Sequence, residues 1–433
     1  MSDYKVKELD SETKNIVQSH KITALIKILA EHNIIARYVG GFVRDILAHV
    51  KPEDIDIAVD CKPDELIRAL KQHRIQAVPS GIKYGSVKVI YEHITCEVTS
   101  LRKDITSDGR FPIIEYTKSW KEDSCRRDFT INAIYLDIEG NLYDYHDGLN
   151  DLKNGIVRFI GNAARRVEED TLRILRYFRF LSKYGDLNNL DADALQACRI
   201  YSIRLVNLSG ERIQYEILKL LKEKDFVDAL GIMAKNEVLG NINLQISDFK
   251  LIKAMCQIQN ENIDVKFDNM SKIALLIKSS EHNHKDVTIK IVNDWRLLTR
   301  DANVLLNYVS PKVAVDISSD TAQHKSFIRS FGKKIFINMM LINWAENLSN
   351  GKAEAYDERY TGIINFANEW DIPKFPVSGY DIMMLKTNNP HGKIIGSLLR
   401  QAESWWEQND YEPNRKMILD YLSDISVSSV DAA

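Results

Sequence analysis

Two aspartates flanking one isoleucine, Asp54-Ile55-Asp56, are the side chains of this sequence best suited to chemistry. On a strand, positions i and i+2 face one side, so both carboxylates project together while Ile55 and Ile57 turn to the core. Carboxylates held that close repel unless a cation lies between them. Mg2+ prefers such hard oxygen ligands and keeps positions open for phosphate oxygens. Alone, the pair also reads as a solvated strand face. Upstream, Gly40-Gly41 separates a strand-like run from a helix-like one. Glycines there let the backbone approach a ligand closely, and the helix start offers free N–H groups to phosphate. Arg44 follows about one turn later, within reach of the same phosphates.

Two further blocks carry charge at regular spacing. Arg126-Arg127-Asp128-Phe129-Thr130-Ile131-Asn132-Ala133 joins guanidiniums to a carboxylate and an amide. In Glu169-Asp170-Thr171-Leu172-Arg173 and onward, Arg173, Arg176 and Arg179 recur in steps of three. The periodicity predicts one continuous helix bearing a slanting arginine stripe, with Asp170 and Arg173 neighbours at i and i+3. Cytosine and adenine each present an amino donor beside a ring-nitrogen acceptor, whereas uracil and guanine present a carbonyl beside an N–H. A carboxylate next to a guanidinium therefore complements C or A and mismatches U and G. The plainer reading is an exposed, salt-bridged helix.

The elements that must position these groups fall into two regions. Residues 12–32 carry apolar positions at helical spacing and predict one amphipathic helix. IIARYVGG reads as a buried strand entering a glycine turn, FVRDILAHV as a helix, EDIDIAV as a strand and KPDELIRALKQH as a helix. GSVKVIYEHITCEVTSL predicts two strands around a turn at Glu92-His93, and INAIYLD with NLYDYHDG a hairpin around Glu139-Gly140. From Asp151 onward helical periodicity takes over to the C-terminus. The expected organisation is α+β: a mixed-sheet head over 1–150, then an all-helical neck (151–224), body (225–375) and tail (376–433). Trp405-Trp406 in the tail reads as core rather than as a stacking platform.

A length of 433 residues exceeds a single core and predicts several structural units. At 45% hydrophobic and 27% charged, the chain is not a disordered one. No apolar run is long enough to span a membrane, the N-terminal residues lack a signal-peptide layout, and five scattered cysteines form no CxxC pair, so a cytoplasmic protein without membrane or evident protein partner is expected. With 58 Lys+Arg against 61 Asp+Glu, the net charge of −3 excludes a generally cationic coat. The 151–224 stretch is nevertheless locally rich in arginine, which leaves room for nucleic acid along one face.

VGGFVRD…EDIDIAV resembles the polymerase-beta-like nucleotidyltransferase superfamily, and specifically its class II tRNA nucleotidyltransferase (CCA-adding) and bacterial poly(A) polymerase branch. The resemblance implies a polymerase-beta-like head in which Asp54 and Asp56 hold two Mg2+ ions for in-line nucleotidyl transfer, with Glu97 as a third acidic group. It implies that Gly40, Gly41, Arg44 and Arg127 bind the nucleotide and that Asp128 and Asn132 shape the ribose pocket or the strand end. It makes EDTLR the base-reading motif, with Asp170 and Arg173 pairing with CTP and then ATP while Arg176 and Arg179 face the triphosphate or base stack. SGERIQYEILKLL is similar to a neck helix of the family in which Glu211 and Arg212 are structural, and GYDIMML…PHGKIIGSLL to a tail segment that cradles the tRNA body. The distinctive RRF-type block of poly(A) polymerases is missing, and the 103–112 loop, shortened in enzymes that add only C, is retained. Full CCA addition to tRNA from CTP and ATP is thus favoured over poly(A) or A-only addition, and over an inactive RNA-binding relative. Leu47-Ala48-His49 stands where the family usually has LLG after VRD, which puts the turn at Ala48 in question.

Overall fold

The computed structural model describes residues 5–19, 21–106, 113–385 and 392–428. Residues 107–112 of the retained loop, Pro390-His391 and the last five residues lie outside them. The chain divides into two compact units, Met1–Ile246 with Ile289–Leu297, and Ser247–Thr288 with Leu298–Ala433. The 224/225 boundary expected between neck and body falls inside the first unit, and the 375/376 boundary inside the second.

The first unit opens with β1 (Lys5–Glu8), α1 (Ser11–Ser19), α2 (Ile22–Glu31), β2 (Ala36–Val39), α3 (Gly41–Leu47), β3 (Asp56–Val59) and α4 (Pro63–Gln72). There follow β4 (Gln76–Gly81), β5 (Ser86–Tyr91), β6 (Ile94–Ser100), β7 (Arg102–Thr106), β8 (Ile113–Tyr116) and α5 (Trp120–Cys125). The hairpin β9 (Ile134–Leu136) and β10 (Asn141–Asp144) precedes helices α6 (Gly148–Lys153), α7 (Ala163–Glu169), α8 (Leu172–Tyr184), α9 (Ala192–Tyr201), α10 (Gly210–Leu220) and α11 (Phe226–Lys235). Eight strands form one sheet in the order β1-β10-β9-β2-β3-β6-β5-β4, and β7 and β8 form a separate ribbon. Only β3 and β6 pair in parallel; the other neighbours are antiparallel.

Period-two alternation explains which way the site residues point. Tyr38, Ile57, Val59, Cys96, Val98, Ile134 and Leu136 enter one core with α2 and α4, whereas Val39, Ala58 and Tyr135 pack on the opposite face against Trp120. Asp56 shares the face of Ala58, and Glu97 lies in register beside it across the parallel pair. Both carboxylates therefore leave the sheet on the α5 side.

Several expectations need correction. The helix expected over 12–32 is two helices, α1 and α2. The single helix expected from Glu169 onward is interrupted: α7 ends at Glu169, Asp170 is extended (φ −153, ψ 105) and α8 starts at Leu172. Asp170 and Arg173 are thus not helical neighbours. Asp54 precedes β3 in a bend rather than lying on it. The unforeseen β4 contains Pro79 and Gly81, which read as turn residues but are tolerated at a sheet edge. His49 takes the left-handed backbone (φ 55) that glycine would favour, so the turn keeps its shape without the glycine.

The second unit is helical within the described residues, through Lys250–Glu261, Asn269–Lys278, Thr299–Val309, Thr321–Phe331, Lys333–Ser349, Glu358–Glu369, Gly379–Leu385, Gly392–Gln408 and Arg415–Ser428. Trp406 is buried with Phe375, Val377, Ile382 and Ile418, and Trp405 stacks on Tyr421 at 4.3 Å between ring centroids. Both tryptophans belong to the core of this unit. No helix among the described residues is long and apolar enough to cross a membrane.

Candidate active site

A cleft of about 540 Å3 in the first unit is lined by Gly40, Gly41, Arg44, Asp54, Asp56, Arg127, Asp128, Asn132, Asp170, Arg173, Arg176 and Arg179. Of the expected site residues, only Glu97 is not in its wall. Gly40 caps α3 with φ +67, and a Cβ there would sit 3.3 Å from Asp56 Oδ2 and 3.7 Å from Arg127 Nη1. Glycine is required at this position by backbone angle and by close approach together. Burial first, and then the charge of Glu97, push the Asp56 carboxyl up to about 6; Arg127 opposes the shift and Asp54 adds to it. Such uncompensated negative charge, carried by hard oxygens, fits a divalent cation. Among the described residues no three acidic, histidine or cysteine side chains already converge on one point.

The expected phosphate-binding arginines are all engaged. Arg44 donates to Asp45 Oδ1 through Nε (3.0 Å) and Nη2 (2.7 Å), and to Asn132 Oδ1 through Nη1 (2.6 Å). Asn132 Nδ2 donates to Asp128 Oδ1 (2.9 Å), and Asp128 Oδ2 accepts from Arg176 Nε (2.8 Å) and Nη2 (2.6 Å). From the other end of α8, the Tyr184 hydroxyl donates to Asp45 Oδ1 (2.5 Å). The circuit Tyr184–Asp45–Arg44–Asn132–Asp128–Arg176 closes on α8 and ties that helix to the sheet region. Burial alone would raise the Asp128 carboxyl, but Arg176, Asn132 and Arg173 hold it well below the usual carboxylate range.

Buried Glu216 of α10 accepts from Arg179 Nε (2.7 Å) and lies 3.6 Å from Arg176 Nη1. Asp123 of α5 accepts from Arg126 Nε (2.9 Å), Arg127 Nη2 (3.1 Å) and the Tyr135 hydroxyl (2.8 Å). Arg173 Nη1 donates to Glu169 Oε2 (2.9 Å) and to the Arg166 carbonyl (2.8 Å), while Asp170 accepts from Arg212 Nη2 at 3.0 and 2.8 Å. Buried guanidiniums require such partners. Lys183, Lys219 and Lys222 line the same cleft and, among the described residues, are in no ion pair.

A sequence model of the poly A polymerase head domain matches residues 36–158, which include the acidic pair and the RRDFTINA block. The chain is 30% identical over 425 residues to the mouse protein named CCA tRNA nucleotidyltransferase 1, mitochondrial, covering 93% of this chain and 89% of that one. It is 36% identical over 411 residues to the CCA-adding enzyme of Oceanobacillus iheyensis, covering 92% and 95%. The chain belongs to the CCA-adding tRNA nucleotidyltransferases. Among solved structures it is similar in fold to the Bacillus stearothermophilus CCA-adding enzyme in complex with CTP, with a TM-score of 0.76 at 21% identity over 95% of this chain and 98% of that one. It also resembles in fold the Thermotoga maritima CCA-adding enzyme complexed with tRNA (TM-score 0.59, 18% identity, 99% and 100% covered).

In this member of the CCA-adding family, residues not foreseen from sequence hold the foreseen ones. Asp123, Glu169 and Glu216 neutralise the arginines, and Arg212, expected only to orient neck helices, grips Asp170 directly. Glu211 instead pairs with Arg296 on the surface. A signal for both Asp123 and Glu216 existed: Asp123 stands three and four positions before Arg126 and Arg127, and Glu216 shares the face of α10 that carries Ile213, Ile217 and Leu220.

Proposed function

We propose that this chain adds or restores the 3′-terminal CCA of tRNA from CTP and ATP, with the protein itself choosing the base. The observation that carries the reading is that one cleft holds both the Asp54/Asp56 pair and the Asp170/Arg173 pair. In the reaction, the terminal 3′ hydroxyl oxygen of the RNA bonds to the α-phosphorus of the nucleotide and the bond to pyrophosphate breaks. Mg2+ bound at Asp54 and Asp56, with Glu97 as the third carboxylate, would supply charge neutralisation for the attacking and leaving oxygens. Gly40 and Gly41 give the triphosphate room against the backbone. Asp128 and Asn132, locked by Arg176 and Arg44, present a fixed edge to the ribose.

Base choice falls to Asp170 and Arg173. Asp170 Oδ1 accepts from both Arg212 Nη2 and the Leu172 N–H, whereas Oδ2 meets Arg212 Nη2 and keeps a lone pair for an exocyclic amino group. Arg173 uses only Nη1 among the described residues, leaving Nη2 and Nε to donate to a ring nitrogen. Arg44, Arg127, Arg176 and Arg179 act chiefly as positioning residues because carboxylates already neutralise them. Further positive charge facing the triphosphate and the primer comes from Lys183, Lys219 and Lys222, which share the cleft wall with Glu223. A cytoplasmic or otherwise reducing compartment suits the five free cysteines, and cell fractionation tests the location.

The decisive assay incubates the protein and Mg2+ with tRNA lacking its terminal CCA, together with labelled CTP and ATP. Addition of C, C and A followed by a stop is the expected outcome. A-only products or long A tails would replace the CCA reading with A addition, and no incorporation at all would leave an RNA-binding relative.

A further inference from the structure

Away from the cleft, two helices end in the same way. At the end of α2, the N–H of His32 bonds to the Leu29 carbonyl, that of Asn33 to Ala30, and that of Ile34 back to Leu29. At the end of α4, the N–H of His73 bonds to Leu70, that of Arg74 to Lys71, and that of Ile75 back to Leu70. Asn33 and Arg74 both take the left-handed backbone, with φ 59 and 56. Each is a left-handed helix stop whose following isoleucine packs into the core, and such stops hold their backbones firmly. The two stops aim their cap histidines at each other. His32 Nε2 and His73 Nε2 are 3.0 Å apart, with the rings edge-on at 88°. Glu31 Oε2 lies 4.0 Å from His73 Nε2.

At this distance one Nε2 donates a hydrogen bond to the other, and a cation taking the place of that proton meets a lone pair from each ring. A cation at about 2.1 Å from both would subtend an angle near 90° at the metal, suited to tetragonal or octahedral coordination and somewhat tight for tetrahedral. Imidazole nitrogen suits zinc, nickel and copper, whereas Mg2+ takes oxygen. We infer that His32 and His73 form a two-histidine binding site for a divalent transition-metal ion, with water completing the shell and Glu31 adding negative charge beside it. The site bridges the C-terminal ends of α2 and α4 and uses none of the carboxylates of the cleft. Its side chains are open to solvent (His73 32% and Glu31 66% exposed), so the ion exchanges readily.

The test uses the full chain, stripped with a chelator and then kept in excess Mg2+ so that the oxygen ligands of the cleft are masked. Zn2+ is titrated by calorimetry, and Cu2+ is examined by electron paramagnetic resonance. The expected result is one equivalent of Zn2+ and a copper spectrum split by two imidazole nitrogens. His32→Gln and His73→Gln should each weaken Zn2+ at least tenfold and leave one nitrogen in the copper spectrum, and Glu31→Gln should weaken Zn2+ severalfold. CCA addition should be unchanged in all three, which keeps this site distinguishable from the cleft chemistry. Equal Zn2+ stoichiometry and affinity in the wild type and both histidine variants would overturn the assignment, as would a copper spectrum without two-nitrogen splitting.

Discussion

Arg212 holds Asp170 through one guanidinium nitrogen, 3.0 and 2.8 Å from its two carboxylate oxygens. The contact spans the interruption between α7 and α8, where Asp170 lies in extended backbone rather than on a helix. The residue proposed to read the base is therefore held from two sides, by Arg212 of α10 and by the first turn of α8, whose Leu172 N–H donates to Asp170 Oδ1 (3.1 Å).

Removing that grip should loosen base choice before it affects chemistry. Arg212→Met is expected to cut the preference for CTP and ATP over UTP and GTP by roughly tenfold to a hundredfold, the scale of one charge-assisted hydrogen bond. Steady-state kcat/KM for the four triphosphates checks this. Asp170→Ala should do at least as much, and retained selectivity in both variants would disprove the base-edge reading.

The acidic pair should be essential for transfer and dispensable for folding. Asp54→Ala and Asp56→Asn are each expected to lower CCA addition at least about a hundredfold, the scale for losing a preorganised charge at the reacting centre. Asp56→Asn also relieves repulsion with Glu97 and Asp54, so its thermal midpoint in chelator should equal or exceed that of the wild type.

Gly40 should tolerate no side chain. Gly40→Ala forces a side chain onto a backbone (φ 67, ψ −130) that glycine alone adopts freely, costing on the order of 1–3 kcal/mol, and places a methyl 3.3 Å from Asp56 Oδ2. A large loss of activity with a modest loss of stability, compared by assay and urea unfolding, is the expected pattern.

Asp123 should govern part of the acid limb of stability. Burial alone would raise its carboxyl, but Arg126 and Arg127 overrule that and hold it at about 2. A carboxyl depressed in the folded state adds stability that is complete above its unfolded value near 4 and disappears as pH falls toward 2. The contribution is on the order of 2 kcal/mol. Urea midpoints measured from pH 7 to 2.5 should fall more gently below pH 4 in Asp123→Asn than in the wild type. That variant should also be less stable at pH 7, since it leaves Arg126 and Arg127 without their carboxylate.

The lysines of the cleft should matter for binding more than for turnover. Lys183→Gln, Lys219→Gln and Lys222→Gln are each expected to raise KM for the triphosphate or the tRNA primer roughly threefold to tenfold with kcat little changed. Added salt should narrow the gap from the wild type, because exposed charges are screened.

What this sequence determined by itself was whatever depends on near neighbours along the chain. Alternation and turn residues located the β5–β6 turn at Glu92-His93 and the β9–β10 hairpin at Glu139-Gly140, since both are set by residues a few positions apart. Contiguous motifs named all the expected residues of the cleft wall, because close backbone approach and charge at fixed spacing must be written locally. Only the tertiary structure decided which carboxylate meets which guanidinium. Arg176 finds Asp128 48 positions away, Arg212 finds Asp170 at 42 and Arg179 finds Glu216 at 37. Helical spacing suggested an Asp170–Arg173 pair, but the break before α8 gave each a different partner. Burying a charge demands a counter-charge without specifying where along the chain it comes from, so the electrostatics of the cleft were settled by folding.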